Sequence, residues 1–407
     1  MLERGRTLAE QEEAPPLAEA APAVRARAGR LARITLRRLG QADAVLAPLL
    51  RRPPRQDIRI VLQLGAVEML EEGAAPHGVV SACVELARLR QARASGMVNA
   101  ILRRVAETDP GRWAALPPRR LPGWLRGRLA AAYGNARAAR IEAASARPAP
   151  LDLTLREPRR DWPERLGAEV LPTRSLRIAE PGQVSALPGY AEGAWWVQDA
   201  AAALPARALA PAPGAQVLDL CAAPGGKTLQ LAAAGAAVVA LDLSETRLAR
   251  LRENLARTGL SARIVVADAL DWAPEAPFDA VLLDAPCSAT GTLRRHPDLP
   301  FVRDAADLKA LRALQAGLID RAVGWLKPGG RLVFCTCSLL PEEGERQFEA
   351  ALARHPGLAP DPEALAALPG LEPEWDAGPG ALRITPETWD ARGGLDGFFI
   401  AALSAPA

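Results

Sequence analysis

Asp219-Leu-Cys-Ala-Ala-Pro-Gly-Gly-Lys-Thr228 joins a short apolar run over 216–220 to a helix-like run over 227–234. The first reads as a buried strand and the second as a helix, so the stretch is a strand-to-helix turn of small residues. Its tail, Gly226-Lys227-Thr228, is that of a phosphate-binding P-loop. That motif also requires a glycine five residues before Gly226, and position 221 is cysteine, so the P-loop reading fails. What remains is a turn whose backbone can approach a bound nucleoside closely.

Working outward, apolar and helical segments alternate. Strands are predicted over 237–243, 263–267, 280–284, 331–336 and 397–403, and helices over 244–258, 304–326 and 342–354. Ser244 is the expected N-cap of its helix, and Pro328-Gly329-Gly330 the stop of the longest one. Such alternation predicts an α/β Rossmann-like domain over 207–407, a parallel, doubly wound sheet with ligands at the carboxyl ends of its strands. Three acids, Asp219, Asp242 and Asp268, fall at three successive strand ends. Asp242 lies where an acid accepts hydrogen bonds from ribose hydroxyls, and Asp268 where one can meet an adenine amino group. Without a full G-x-G-x-x-G, the pattern fits S-adenosylmethionine better than NAD.

Upstream the texture changes twice. Residues 147–206 carry strand-like pieces, Leu151-Asp-Leu-Thr-Leu155 and Trp195-Trp196-Val197, separated by prolines, and read as a small α+β connector. Residues 23–146 show apolar positions at helical spacing (Leu31, Ile34, Leu39, then Ile58, Val61, Leu62 and Gly65) and read as an all-α domain. Residues 1–22 are rich in Ala, Glu and Pro without periodicity and read as a disordered tail. Charge follows the same division. Residues 24–147 hold 23 arginines against nine acids, a net of +14, while residues 148–407 sum to −8. A net charge of +3 therefore conceals a basic front suited to a polyanion.

Composition excludes several classes. With no run of about 18 apolar residues, a membrane span is not expected, and the N-terminus lacks the apolar segment of a signal peptide. Five cysteines make no disulfide framework, and the cytoplasm is the expected compartment. Cys83 and Cys335 read as small buried hydrophobes, with Cys335 expected on the sheet face opposite Cys337. Asp284-Ala-Pro-Cys287 and Phe334-Cys-Thr-Cys337 place thiols just after two strands. Cys335, Cys337 and Cys287 lack zinc spacing, so no metal site is expected. A cysteine in a turn beside a cofactor pocket suits thiolate catalysis.

These motifs together resemble the RsmB (Sun/Fmu) family of ribosomal RNA cytosine-5 methyltransferases. The matching residues are Asp219–Thr228, Asp284–Gly291, Leu293-Arg-Arg-His-Pro-Asp298, Thr336-Cys-Ser338 with Leu340-Pro-Glu-Glu343, and Gly397-Phe-Phe-Ile-Ala401. Leu64-Gly65, Pro76-His77 and Val98-Asn-Ala-Ile-Leu-Arg103 resemble the NusB-like RNA-binding domain which that family carries. Departures occur at Ala289, at Pro300-Phe301 and at Glu157, where the family commonly has glycine, Lys-Trp and asparagine. The resemblance implies Cys337 as the nucleophile that adds to cytosine C6, Cys287 as the residue that helps resolve the adduct, and Asp284 as a partner of the N3 and N4 edge. It also implies S-adenosylmethionine bound by Cys221, Ala222, Ala223, Pro224, Gly225, Gly226, Lys227, Asp242, Asp268 and Asp284. Arg294 and Arg295 would hold phosphates. The implied partner is 16S ribosomal RNA before or during subunit assembly, met by a monomer away from membranes. The same chemistry on transfer RNA or another RNA, and a non-catalytic assembly factor, are the alternatives.

Overall fold

The structure, a computed structural model, describes residues 5–406. These form two compact units. One holds the chain through Gly127, Ser145–Arg147 and Arg295–Arg303; the other holds Arg128–Ala144, Pro148–Arg294 and the chain from Asp304 onward.

The first unit is helical: α1 (Leu8–Glu12), α2 (Pro22–Leu46), α3 (Gln56–Leu70), α4 (Pro76–Gln91), α5 (Ser95–Val105) and α6 (Pro110–Ala115). The apolar spacing read from the sequence packs as expected, with Leu39, Ile58, Leu62, Val98 and Leu102 buried. Close approach fixes Gly65, where a Cβ would lie 2.9 Å from the Cys83 sulfur and from Leu102 Cδ1. Helix α1 replaces part of the expected disorder over 1–22, of which residues 1–4 lie outside the described residues. Thr7 and Glu10 form a reciprocal capping box, and Glu12 pairs with Arg33 of α2 at 2.6 Å. Several acids of this unit engage arginines, as in Arg27–Glu68, Arg38–Glu71 and Arg59–Asp43. Arg51, Arg52, Arg90, Arg93, Arg103 and Arg104 stand exposed.

The second unit contains two sheets. The smaller is antiparallel, ordered β2-β3-β1-β4, from β1 (Leu151–Leu155), β2 (Glu169–Val170), β3 (Leu176–Ile178) and β4 (Trp195–Val197). Only β1 and β4 were legible as strands; β2 and β3 have two and three residues. A buried Arg177 holds this sheet through both oxygens of Asp152, each at 2.7 Å.

The larger sheet is built from β5 (Gln216–Leu220), β6 (Ala237–Asp242), β7 (Arg263–Val266), β8 (Phe278–Asp284), β9 (Leu326–Thr336), β10 (Ala359–Pro360), β11 (Ala381–Ile384) and β12 (Phe398–Ser404). Its order is β10-β12-β9-β8-β5-β6-β7, with β11 also on β12. The strands β7, β6, β5, β8 and β9 are parallel neighbours, as the alternation predicted. The sheet is nevertheless mixed: β12 runs antiparallel to β9, β10 and β11. Phe398–Leu403 is continuously buried, a pattern that reports burial on both faces and not direction. Successive residues alternate between two apolar layers. Val217, Leu282, Val333 and Ile400 enter one; Leu218, Leu283, Phe334 and Phe399 enter the other.

Arg128–Ala144 belongs to this second unit, although by sequence it continues the helical front. Its Tyr133 hydroxyl donates to the Leu339 carbonyl at 2.7 Å, Arg128 pairs with Glu342 at 2.8 Å, and Arg137 with Glu387 at 2.8 Å. Among the described residues, no helix is long and apolar enough to cross a membrane.

Candidate active site

The turn after β5 is shaped by its backbone. Cys221 takes a left-handed conformation at φ +63°, and Gly225 lies at φ +107°. A Cβ on Gly225 would sit 2.3 Å from Leu251 Cδ1, so glycine alone allows the turn to close on the helix behind it. Ala222, Ala223 and Lys227 are buried, and Gly226 begins the helix Gly226–Ala233.

The three acids expected at open strand ends have different surroundings. Asp219 is wholly enclosed: Thr228 donates to Oδ2 at 2.5 Å, Oδ1 has no hydrogen-bond partner, and burial pushes the carboxyl up to about 7. It braces the turn from inside, out of reach of solvent. Asp242 is buried and accepts the N–H groups of Ala223 at 3.0 Å and Ser244 at 2.9 Å, tying the Gly-rich turn to the end of β6. Asp268 is exposed beyond β7 and accepts the Leu270 N–H at 2.9 Å. Around the last two stand apolar side chains left in solvent: Leu243 at 69% exposure, Val266 and Leu270. Carboxylates beside exposed apolar groups suit a nucleoside, which brings hydroxyl and amino donors and a flat apolar ring.

Lys227 and Asp284 meet at the centre. Lys227 Nζ lies 2.7 Å from Asp284 Oδ2, while the Cys335 thiol donates to Oδ1 at 3.4 Å. Burial works against the charge on Lys227, but the charge and hydrogen bond of Asp284, with the Cys335 and Asp219 groups nearby, together raise the ammonium pKa above the ordinary range. Burial likewise raises the thiol pKa of Cys221 and Cys335, and pushes Cys83 up to about 11. Cys335 packs in the same apolar layer that Cys337 touches, not on the opposite face: the chain just past the end of β9 keeps the strand's alternation for one more residue.

The two motif thiols come together. Cys287 Sγ and Cys337 Sγ are 3.6 Å apart, each in the turn that follows its strand, and Gly291 N–H closes onto the Cys337 carbonyl at 2.9 Å. The hydrogen bond with Cys337, burial and the nearby charge of Glu343 all raise the pKa of Cys287 well above an ordinary thiol. Glu343, which the sequence presents as one of two adjacent acids, is buried and bonded to Ser288 and Ser338. Arg294, expected to hold phosphate, is 1% exposed and donates to the Gly393 carbonyl at 2.5 Å, so it serves packing.

Residues 206–404 match the family model described as 16S rRNA methyltransferase RsmB/F. The chain is 39% identical over 347 residues to the ribosomal RNA small subunit methyltransferase B of Salmonella arizonae, covering 80% of this chain and 81% of that one. It belongs to the RsmB/F methyltransferase family. Residues 1–107 match the NusB family model, which agrees with the NusB-like front read from the sequence. A solved methyltransferase homologue protein from Pyrococcus horikoshii is 30% identical with a TM-score of 0.57, over 67% of this chain and 92% of that one. The fold is also shared with NSun6 from the same organism, crystallised with SFG, at 21% identity and a TM-score of 0.60 over 70% of this chain and 98% of that one. The protein is thus an RNA methyltransferase, and its cofactor is S-adenosylmethionine.

Proposed function

We propose that this protein methylates C5 of a cytosine in small-subunit ribosomal RNA, through an adduct in which the Cys337 sulfur is bonded to cytosine C6. The observation that carries the reading is the pair of thiols at 3.6 Å, one of them held protonated. When bound, S-adenosylmethionine supplies an electrophilic methyl group, and C5 of an unmodified cytosine is a poor nucleophile toward it. Addition of the Cys337 thiolate to C6 moves an electron pair onto the ring and makes C5 enamine-like. The Asp284 carboxylate would accept a hydrogen bond from the N4 amino group, and from N3 once N3 takes up a proton as C6 is attacked, and Lys227 keeps it oriented. To regenerate the enzyme, the C5 proton leaves to a base, the C6–S bond breaks and its pair returns to sulfur. A neutral Cys287 beside Cys337 can donate its S–H to that departing sulfur. The Cys221–Lys227 turn, Asp242 and Asp268 would hold the cofactor, with Asp242 toward the ribose and Asp268 toward the base.

The target cytosine must leave its stack to meet both sulfur and methyl donor. The exposed arginines of the helical unit would hold the RNA by its phosphates, so association should weaken steeply with salt. In this reading the protein acts as a cytoplasmic monomer, away from membranes, on 16S ribosomal RNA before or during subunit assembly.

A denaturing gel of protein mixed with substrate RNA and cofactor tests the roles. Cys287→Ala should accumulate a covalent protein–RNA band, and Cys337→Ala should form none and methylate nothing. A band from Cys337→Ala and none from Cys287→Ala would reverse the assignment. Bisulfite sequencing of RNA from a deletion strain then names the cytosine, and an unchanged ribosomal RNA would sink the target.

A further inference from the structure

Glu343 lies in the short 3-10 turn Pro341–Glu343 with no exposed surface. Its Oε1 accepts the Ser288 N–H at 2.9 Å and the Gln315 amide at 3.1 Å. Its Oε2 accepts the hydroxyls of Ser288 at 2.5 Å and Ser338 at 2.6 Å. Four donors occupy the four lone-pair sites of a carboxylate, and all four are uncharged. A carboxylate is costly to bury, and the cost is offset only when its oxygens are saturated, as they are here.

The donors are not scattered. Ser288 follows Cys287, and Ser338 follows Cys337. Gln315 uses the same amide nitrogen to hold the Pro286 carbonyl at 2.9 Å, on the other side of Cys287. Thr336, on the other side of Cys337, donates to the Glu343 carbonyl at 3.2 Å. One acidic residue therefore grips the chain before and after each sulfur, directly or through Gln315. The two turns also meet through Thr290, whose hydroxyl is 3.3 Å from both the Ser288 and the Ser338 hydroxyls.

We infer that Glu343 is a positioning residue that fixes the Cys287 and Cys337 turns at thiol-to-thiol contact. The inference rests on the covalent reading proposed above for its catalytic consequence, but its geometric content stands apart from any reaction. A sulfur that adds to C6 and a second that helps it leave must keep their separation through both steps. Loosening the clamp therefore slows the chemistry and leaves binding alone. Glu343→Gln preserves the shape, yet it turns an amide NH2 toward groups that are themselves donors.

Thiol cross-linking reads this directly. Reduced full-length protein is treated with diamide, which takes up the two thiol hydrogens and electrons, and the Cys287–Cys337 disulfide is followed by mass spectrometry of a non-reduced digest. Removing the Glu343 charge also eases ionisation of Cys287, so each rate is normalised to that protein's alkylation rate with iodoacetamide. Because a hydrogen bond to a charged group is worth about tenfold or more, Glu343→Gln should then form the disulfide at least about tenfold more slowly than wild type. Its kcat should fall with it, while KM for RNA and the calorimetric affinity for S-adenosylmethionine hold. Should Glu343→Gln fail to fold, Ser288→Ala and Ser338→Ala each remove one tether and should each slow the cross-link. A folded variant with wild-type cross-linking overturns the inference, as does a wild-type protein that does not cross-link. Slow cross-linking with unchanged kcat overturns its catalytic part. The covalent reading fails separately, through full methylation by Cys337→Ala, and the cross-link needs neither RNA nor cofactor.

Discussion

The turn over residues 221–227 and the two cysteine turns close the same end of the same sheet, yet they are held by different means. The first is set by backbone conformation: Cys221 and Gly225 adopt positive φ, and the turn lies so close to Leu251 that no side chain fits at Gly225. The Cys287 turn also has one left-handed residue, Ala289 at φ +54°, but the two cysteine turns are tied to each other by side chains, through the Ser288, Ser338 and Thr336 hydroxyls that converge on Glu343. A backbone-shaped turn presents main-chain groups, and here it leans on two buried acids, Asp219 and Asp242, at its margins. A turn shaped by a buried polar network depends on every member, since losing one leaves its partners without bonds. Under the proposed function, the difference would separate cofactor binding from covalent chemistry at one end of the sheet.

That separation is most severely challenged by Cys337→Ala. Loss of a covalent nucleophile should lower the methylation rate on the order of 10⁴-fold or more, while S-adenosylmethionine affinity by calorimetry stays at the wild-type value. A matching collapse of cofactor affinity would mean that the two regions are one site energetically. Asp242→Ala is the converse change. It removes the acceptor of the Ala223 and Ser244 N–H groups as well as the expected ribose partner, so the dissociation constant for S-adenosylmethionine should rise roughly 10- to 150-fold. Cross-linking of Cys287 to Cys337 should be unaffected. A folded Asp242→Ala protein with unchanged cofactor affinity would remove that acid from the site.

The parallel core of the larger sheet was readable because buried strands and amphipathic helices differ in period and length, and Ser244 does cap its helix by accepting the Arg247 N–H at 3.2 Å. The antiparallel return of β12 was not, since an unbroken apolar run encodes depth without direction. Within the site, Cys287, Cys337, Lys227 and Asp284 were named from motif positions, and the structure brings them together in two contacts. Glu343 was hidden for a specific reason. Glu342 and Glu343 are chemically identical neighbours, but one reaches Arg128 while the other turns into the core. Arg294 and Arg295 pose the same difficulty, because local sequence does not say which of two adjacent arginines is buried. Nor could the helical pattern after Gly127 reveal that Arg128–Ala144 packs with residues some 200 positions later, such as Leu339 and Glu342.

That segment supplies the smallest predicted effect and the finest division between the two regions. The Tyr133 hydroxyl donates to the carbonyl of Leu339, two residues beyond Cys337, and burial raises the phenol pKa above its usual 10, so it remains a donor across the working pH range. Tyr133→Phe keeps the ring and removes only that bond, leaving a carbonyl of the fully buried Leu339 without it. The expected cost is about 1–2 kcal/mol of stability, read as a lower thermal midpoint, with a several-fold loss of kcat because the carbonyl belongs to the cysteine turn. Cofactor affinity should not move, since the turn over 221–227 owes nothing to Tyr133. A fragment starting at residue 147 should reproduce the loss of stability more severely, and one starting at residue 128 should not. If Tyr133→Phe weakened S-adenosylmethionine binding while sparing kcat, the assignment of this segment to the cysteine turn would be wrong.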